Sequence, residues 1–286
     1  MPLIAGGAAI AFLDLARRIF RSTQLFNPAH DPVISWNPED YGIPPDQCEE
    51  VWIETTDRER LHGWYLRAKN PIASSLYCHG NTGNLTNVAH LMPHLVESGF
   101  NILLWDYRGY GKSSGRASIR GVVKDTIAAA KFHDDIRPKN VPSIVFGFSL
   151  GGAIAAQVAL RHRFEALILQ STFSNLPDIA RVTFPRFPLH LVSGRAFDTM
   201  RVLREFRSPV LILHGSDDEA CPCWMADKLF EACASPVKMI YRVEGGLHKD
   251  LWERDSHGMI DALHRFGVEA GFGGVRAGFS RPEPTS

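Results

Sequence analysis

Ser143-Ile144-Val145-Phe146-Gly147-Phe148-Ser149-Leu150-Gly151-Gly152-Ala153 is the stretch that decides the fold. Residues 143–146 form a short, mostly apolar run of the kind a strand buried on both faces requires. Residues 153–161 read as a good helix. Between them, Gly147-Phe148-Ser149-Leu150-Gly151 has the strand–turn–helix setting of a G-x-S-x-G nucleophile elbow. The reason is steric. A serine on a sharp, strained turn brings neighbouring chains close, so side chains two residues before and after it would clash. The helix that follows aims free N–H groups at developing negative charge. Ser149 is therefore the expected nucleophile.

Outward from this point the chain repeats one rhythm. Short apolar runs at 75–78, 102–105, 143–146, 166–169, 210–213 and 239–243 alternate, for the most part, with stretches of helical length. That alternation predicts an α/β fold with a mostly parallel sheet covered by helices on both faces. Residues 50–55 and 61–67, joined by a polar turn, read as an antiparallel hairpin at the sheet edge. The total is about eight strands around one core. Residues 175–208 break the rhythm with Pro177, Pro185, Pro188 and several aromatics, and no strand reads through them. They predict a small helical insertion. Ligands of open α/β sheets bind beyond the carboxyl ends of the strands, so an insertion there would act as a lid. The expected organisation is an N-terminal helical appendage over 1–30, a main domain over 31–270 and a mobile tail over 271–286.

Composition excludes several classes. The 286 residues hold 31 Lys plus Arg against 31 Asp plus Glu. Zero net charge argues against a general nucleic-acid binder. With 45% hydrophobic and 22% charged residues, the chain has ordinary globular composition, not that of a disordered one. Five sparse cysteines suit a reducing compartment and predict a cytoplasmic protein. Cys221-Pro222-Cys223 is a lone C-x-C without a second pair at ligand spacing, so no metal site is expected. The neutrality is a sum of unlike parts: residues 31–60 carry nine acids and two bases, whereas 175–208 carry six Arg and three acids. The apolar run 3–13 is too short to span a bilayer. Followed by Arg17, Arg18 and Arg21, it leaves open a peripheral membrane contact through residues 3–21.

Other candidates for chemistry lie at strand ends. Tyr77-Cys78-His79-Gly80-Asn81-Thr82-Gly83-Asn84 follows an early strand and suits a loop whose backbone N–H points at a substrate oxygen. Asn81 is the expected main-chain donor, with Thr82 the alternative, and the Leu150 N–H is the second donor. His79 is expected to brace the loop. Late in the chain, Leu213-His214-Gly215-Ser216-Asp217-Asp218 and Glu244-Gly245-Gly246-Leu247-His248 each run from a strand into a loop. His248 is the candidate base, and Asp217 and Asp218 are the candidate orienting acids.

These residues together resemble the α/β-hydrolase superfamily over about residues 45–268. The order Ser149, Asp, His248 is that of its triads. By resemblance to its H-G-x-x-D pattern, Asp218 takes the acid's role. Asp106-Tyr107-Arg108-Gly109-Tyr110-Gly111-Lys112-Ser113 resembles the superfamily's loop after its fourth strand. The H-G-N-x-G-N run at 79–84 is similar to a narrower subgroup of membrane-associated serine hydrolases, some of them depalmitoylases, and their bacterial relatives. This chain departs from them in having no cysteine before Cys48. The resemblance implies an eight-stranded sheet with its second strand antiparallel and hydrolysis of esters or thioesters.

The expected activity is a serine carboxylic-ester hydrolase using Ser149, His248 and Asp218, without metal or organic cofactor. Its partner is a small-molecule or acyl ester, and Phe184, Phe187, Leu189, Leu191 and Phe197 either form an apolar wall for an acyl chain or pack the insertion itself. Thioesterase or acyl-protein depalmitoylase is the first alternative. A serine peptidase or amidase, and a non-catalytic binding protein on the same fold, follow.

Overall fold

The apolar runs of the sequence stand side by side in the computed structural model, which describes residues 25–186 and 196–272. One sheet contains β1 (Cys48–Glu54), β2 (Arg60–Leu66), β3 (Ala73–Cys78), β4 (Phe100–Trp105), β5 (Ser143–Phe148), β6 (Ala166–Gln170), β7 (Val210–Gly215) and β8 (Lys238–Val243). Their spatial order is β1-β2-β4-β3-β5-β6-β7-β8. β2 runs antiparallel to both neighbours, β1 and β4, and every other pairing is parallel. β1 buries Val51 and Ile53 and turns its acids outward, as an edge strand does. β3 to β7 are buried along their whole lengths, which is why their sequences do not alternate.

The remaining elements cover both faces. They are α1 (Met92–Glu97), α2 (Ile119–Ile136), α3 (Leu150–Ala159), α4 (Leu176–Thr183), α5 (Thr199–Glu205), α6 (Trp224–Ala232) and α7 (Leu251–Glu269). Leu76, Leu103, Val145, Leu167 and Ile212 pack on one face against Val122, Ala129, Ile154 and Val158 of α2 and α3. Tyr77, Leu104, Phe146, Ile168 and Leu213 pack on the other against Leu95 of α1 and Met259, Leu263 and Phe266 of α7. Truncating any of these large side chains would cost about 2–5 kcal/mol. Among the described residues, no helix is long and apolar enough to cross a membrane.

Differences from expectation have physical causes. β3 starts at Ala73, two residues upstream of the apolar run. Ser74 can enter the sheet because its Oγ is satisfied at 2.7 Å by the buried His133 Nε2. α3 begins at Leu150, immediately after the elbow, because its glycines pack there instead of forming a loop. The insertion contributes α4 and α5. Phe197, expected in an acyl wall, is instead buried in the core. Phe187, Leu189 and Leu191, residues 1–24 of the expected 1–30 appendage and residues 273–286 of the expected 271–286 tail lie outside the described residues.

Candidate active site

Register brings the carboxyl ends of β3, β5, β6, β7 and β8 to one edge, and every candidate residue sits in a loop leaving it except Leu150, which opens α3 there. Ser149 joins β5 to α3 with φ 54° and ψ −121°. That left-handed φ in a non-glycine residue stores roughly 1–3 kcal/mol of strain. It is held by the Ser149 N–H donating to Gln170 O at 2.9 Å and the Thr172 hydroxyl donating to Ser149 O at 2.7 Å. A Cβ at Gly147 would lie 2.4 Å from Gly152 Cα, and one at Gly151 would lie 2.0 Å from Cys78 O. Both glycines flanking the elbow are therefore required by close approach of backbone.

The structure brings Ser149, His248 and Asp218 together. The Ser149 hydroxyl lies 3.0 Å from His248 Nε2, and His248 Nδ1 lies 2.8 Å from Asp218 Oδ2. An ionised carboxylate only accepts, so Nδ1 carries the proton and Nε2 is left to accept from the serine. Asp218 is buried and its other oxygen accepts from the Cys221 N–H at 2.7 Å. His214, also buried, donates from Nε2 to Cys221 O at 2.6 Å, and burial lowers its pKa. It thus ties down the loop that presents Asp218. Asp217 is exposed and accepts from the Ser216 hydroxyl, a turn contact. Asp250 Oδ1 accepts from the Leu247 N–H at 2.6 Å and closes the short loop that carries His248.

The loop after β3 is held by its carbonyls. The Tyr107 hydroxyl donates to His79 O at 2.8 Å, His79 Nδ1 donates to Gly80 O at 2.8 Å, and the Tyr110 hydroxyl donates to Asn81 O at 2.8 Å. The Asn27 N–H also donates to Asn81 O, at 2.9 Å, because Asn27–Pro28 pairs in parallel with Thr82–Gly83. The His79 ring is packed between Tyr107 and Tyr110 at 4.5 and 5.3 Å. With three successive carbonyls tied behind the loop, neither the Asn81 nor the Leu150 N–H donates to another described residue. Both residues line the same cavity as Ser149 and His248.

That cavity has a volume of about 620 Å³. Leu25, Phe173, Ile179, Val182 and Phe184 give it an apolar wall, mostly from the insertion. Asn87, His90, Lys249 and Glu253 give it a polar wall near α1 and α7, with His90 and Glu253 3.5 Å apart. Among the described residues no cluster of side chains is suited to hold a metal ion. Sequence reasoning missed Tyr107, Tyr110, Asn27 and Gln170 as neighbours of the site. The only available signal was the D-Y-R-G-Y-G run, and nothing in it tells which carbonyls its tyrosines reach.

A hydrogen-bonded Ser–His–Asp run with its aspartate buried, at a strained elbow beside free backbone donors, is the arrangement of the serine hydrolases. The family model for serine aminopeptidase S33 hydrolases matches residues 69–203. The chain is 31% identical over 274 residues to Rv2307c of Mycobacterium tuberculosis, covering 94% of this chain and 93% of that protein. It is 28% identical over 247 residues to the yeast membrane protein YNL320W, covering 82% and 84%. An esterase of Pyrococcus furiosus has the same fold, with a TM-score of 0.72 at 19% identity over 85% of this chain and 97% of that one. The chain belongs to the α/β-hydrolase superfamily, among its serine hydrolases.

Proposed function

We propose that this protein hydrolyses carboxylic esters through a covalent acyl-enzyme. The hydrogen-bonded run from Ser149 through His248 to Asp218, at the floor of a half-apolar cavity, carries this reading. Ser149 Oγ attacks the acyl carbonyl while His248 Nε2 takes its proton. The carbonyl oxygen becomes an oxyanion held by the Asn81 and Leu150 N–H groups, each worth about 3 kcal/mol of barrier. His248 passes the proton to the leaving alcohol. Water then enters, gives its proton to His248 and attacks the acyl carbon; as the Oγ–acyl bond breaks, His248 returns that proton to Ser149 Oγ and the acid is released. Asp218 keeps the imidazole in the required tautomer and stabilises the imidazolium. A fluorophosphonate probe tests the proposal: wild type labels and Ser149→Ala does not. Equal labelling of both would refute it.

The apolar wall favours acyl over charged substrates. 4-Nitrophenyl esters of rising chain length measure its depth, and 620 Å³ predicts turnover that extends beyond four carbons. Peak turnover at two to four carbons would refute a long-acyl or depalmitoylating role.

The same reading gives the N-terminal segment a peripheral membrane role. Leu25 lines the cavity and Asn27–Pro28 clasps the loop of Asn81, so the first described residues of the chain stand at the site. A yeast relative named as a membrane protein supports it. Vesicle flotation should be stronger with anionic than with neutral lipid; equal binding would remove the electrostatic part.

A further inference from the structure

Gln170 is the last residue of β6 and is 1% exposed, yet it lines the cavity beside Ser149. Its backbone carbonyl already accepts from the Ser149 N–H at 2.9 Å. Its side-chain oxygen accepts from the Trp252 indole at 3.2 Å. An indole N–H is a donor only, so the amide has one possible orientation there: Oε1 toward Trp252 and Nε2 away from it. Trp252 is itself buried and stacked on His94, with ring centroids 5.8 Å apart and planes within 9°. The amide is therefore locked from behind. Nε2 donates to no described residue, and it is absent from the fully enclosed polar atoms that lack a partner. With the residue otherwise buried, the surface left to Nε2 is the cavity.

We infer that the Gln170 amide is a specificity-determining donor for a hydrogen-bond acceptor on the substrate, distinct from the scissile carbonyl. This rests on the ester-hydrolase reading and deepens it. The substrate class is an ester bearing an ether, keto, hydroxyl or second ester oxygen close to the scissile bond. A purely hydrocarbon ester leaves Nε2 without a partner in a site where the amide cannot turn to find one. That is the situation in which a polar pocket rejects an analogue lacking the matching group.

The experiment compares near-isosteric ester pairs. On the acyl side the pair is 4-nitrophenyl methoxyacetate and 4-nitrophenyl butanoate. On the alcohol side it is 2-methoxyethyl butanoate and butyl butanoate. The ratio of kcat/KM within each pair is measured for wild type, Gln170→Met, Gln170→Glu and Trp252→Phe. Dividing the wild-type ratio by the variant ratio cancels intrinsic reactivity and the fraction of active enzyme. Gln170→Glu keeps the acceptor for Trp252 and removes the donor, so it tests the donor even where Gln170→Met folds poorly. Trp252→Phe keeps the donor and removes the lock. For one pair, both Gln170 variants should lose about three- to tenfold of the preference for the oxygen-bearing ester, and Trp252→Phe should lose part of it. Wild-type turnover of these esters with ratios unchanged in both Gln170 variants would overturn this inference alone. Failure of wild type to hydrolyse any of them would overturn the ester reading beneath it.

Discussion

The Tyr110 hydroxyl donates to the Asn81 carbonyl at 2.8 Å, on the far side of the peptide chain from the cavity. A held carbonyl fixes the plane of the peptide it belongs to: the bond to Gly80 O fixes the peptide that carries the Asn81 N–H, and the bonds to His79 O and Asn81 O steady the peptides on either side. The Asn81 N–H is thereby steadied, through the adjoining peptide, by a tyrosine that does not line the cavity. Tyr110→Phe should lower kcat by about three- to tenfold with KM little changed, because an oxyanion donor acts in the transition state. Steady-state kinetics on one ester checks this. A change in KM alone would assign Tyr110 to substrate binding.

Asp218→Asn keeps the shape of the site and changes its chemistry. The Asn amide can donate to His248 Nδ1, which favours the tautomer whose Nε2 bears a proton and cannot accept from Ser149. By analogy with the serine proteases, kcat should fall by about 10⁴-fold. Asp217→Asn, at an exposed turn, should leave kcat within about twofold, since surface changes of this kind are near-neutral. Comparing the two by ester hydrolysis assigns the acid.

Arg108 lies between two carboxylates, with its guanidinium 2.7 Å from Asp125 Oδ1 and 3.0 Å from Asp57 Oδ1. Burial pushes the Asp125 carboxyl above its usual range, and Arg108 pulls it back. Arg108→Met would leave Asp125 buried and uncompensated. The expected loss is about 3–5 kcal/mol in urea unfolding. Arg108→Met combined with Asp125→Leu should recover much of it, and a double variant as unstable as the single would show that the charge is not the cause.

His133 is buried between Ser74 and Ser143, and burial lowers its pKa from 6.5 to about 3. The unfolded chain therefore binds this proton at a higher pH than the folded one. The native advantage is complete above pH 6.5 and is lost as pH falls from there toward 3. At pH 5 the loss from this group is about 2 kcal/mol. The urea midpoint should fall across this window in wild type and fall less steeply in His133→Asn. Parallel pH profiles would contradict the role of His133.

Much of the fold was legible because its strands are local apolar runs and its elbow is a contiguous motif. Residues 143–161 hold strand, turn and helix within one stretch, so short-range rules apply to all of it. The pairing of Asn27–Pro28 with Thr82–Gly83 was not legible: each partner is two residues long, and neither has a hydrophobic period. The partners of Arg108 were hidden for another reason. Asp57 and Asp125 lie 51 and 17 residues away, and charge alone does not select them from the other acids. Gln170 ends an ordinary strand, and only the tertiary position of Trp252 turns its amide toward the cavity.

The most direct measurement is pre-steady-state hydrolysis of excess 4-nitrophenyl ester by wild type and Ser149→Ala, with mass spectrometry of the quenched protein. Wild type should release a burst of nitrophenolate stoichiometric with enzyme and carry the acyl group on the peptide containing Ser149. Ser149→Ala should show neither, with kcat lower by about 10⁴-fold or more. An undiminished burst in Ser149→Ala, or an acyl group on another residue of the wild type, would contradict the assignment of Ser149 as the nucleophile.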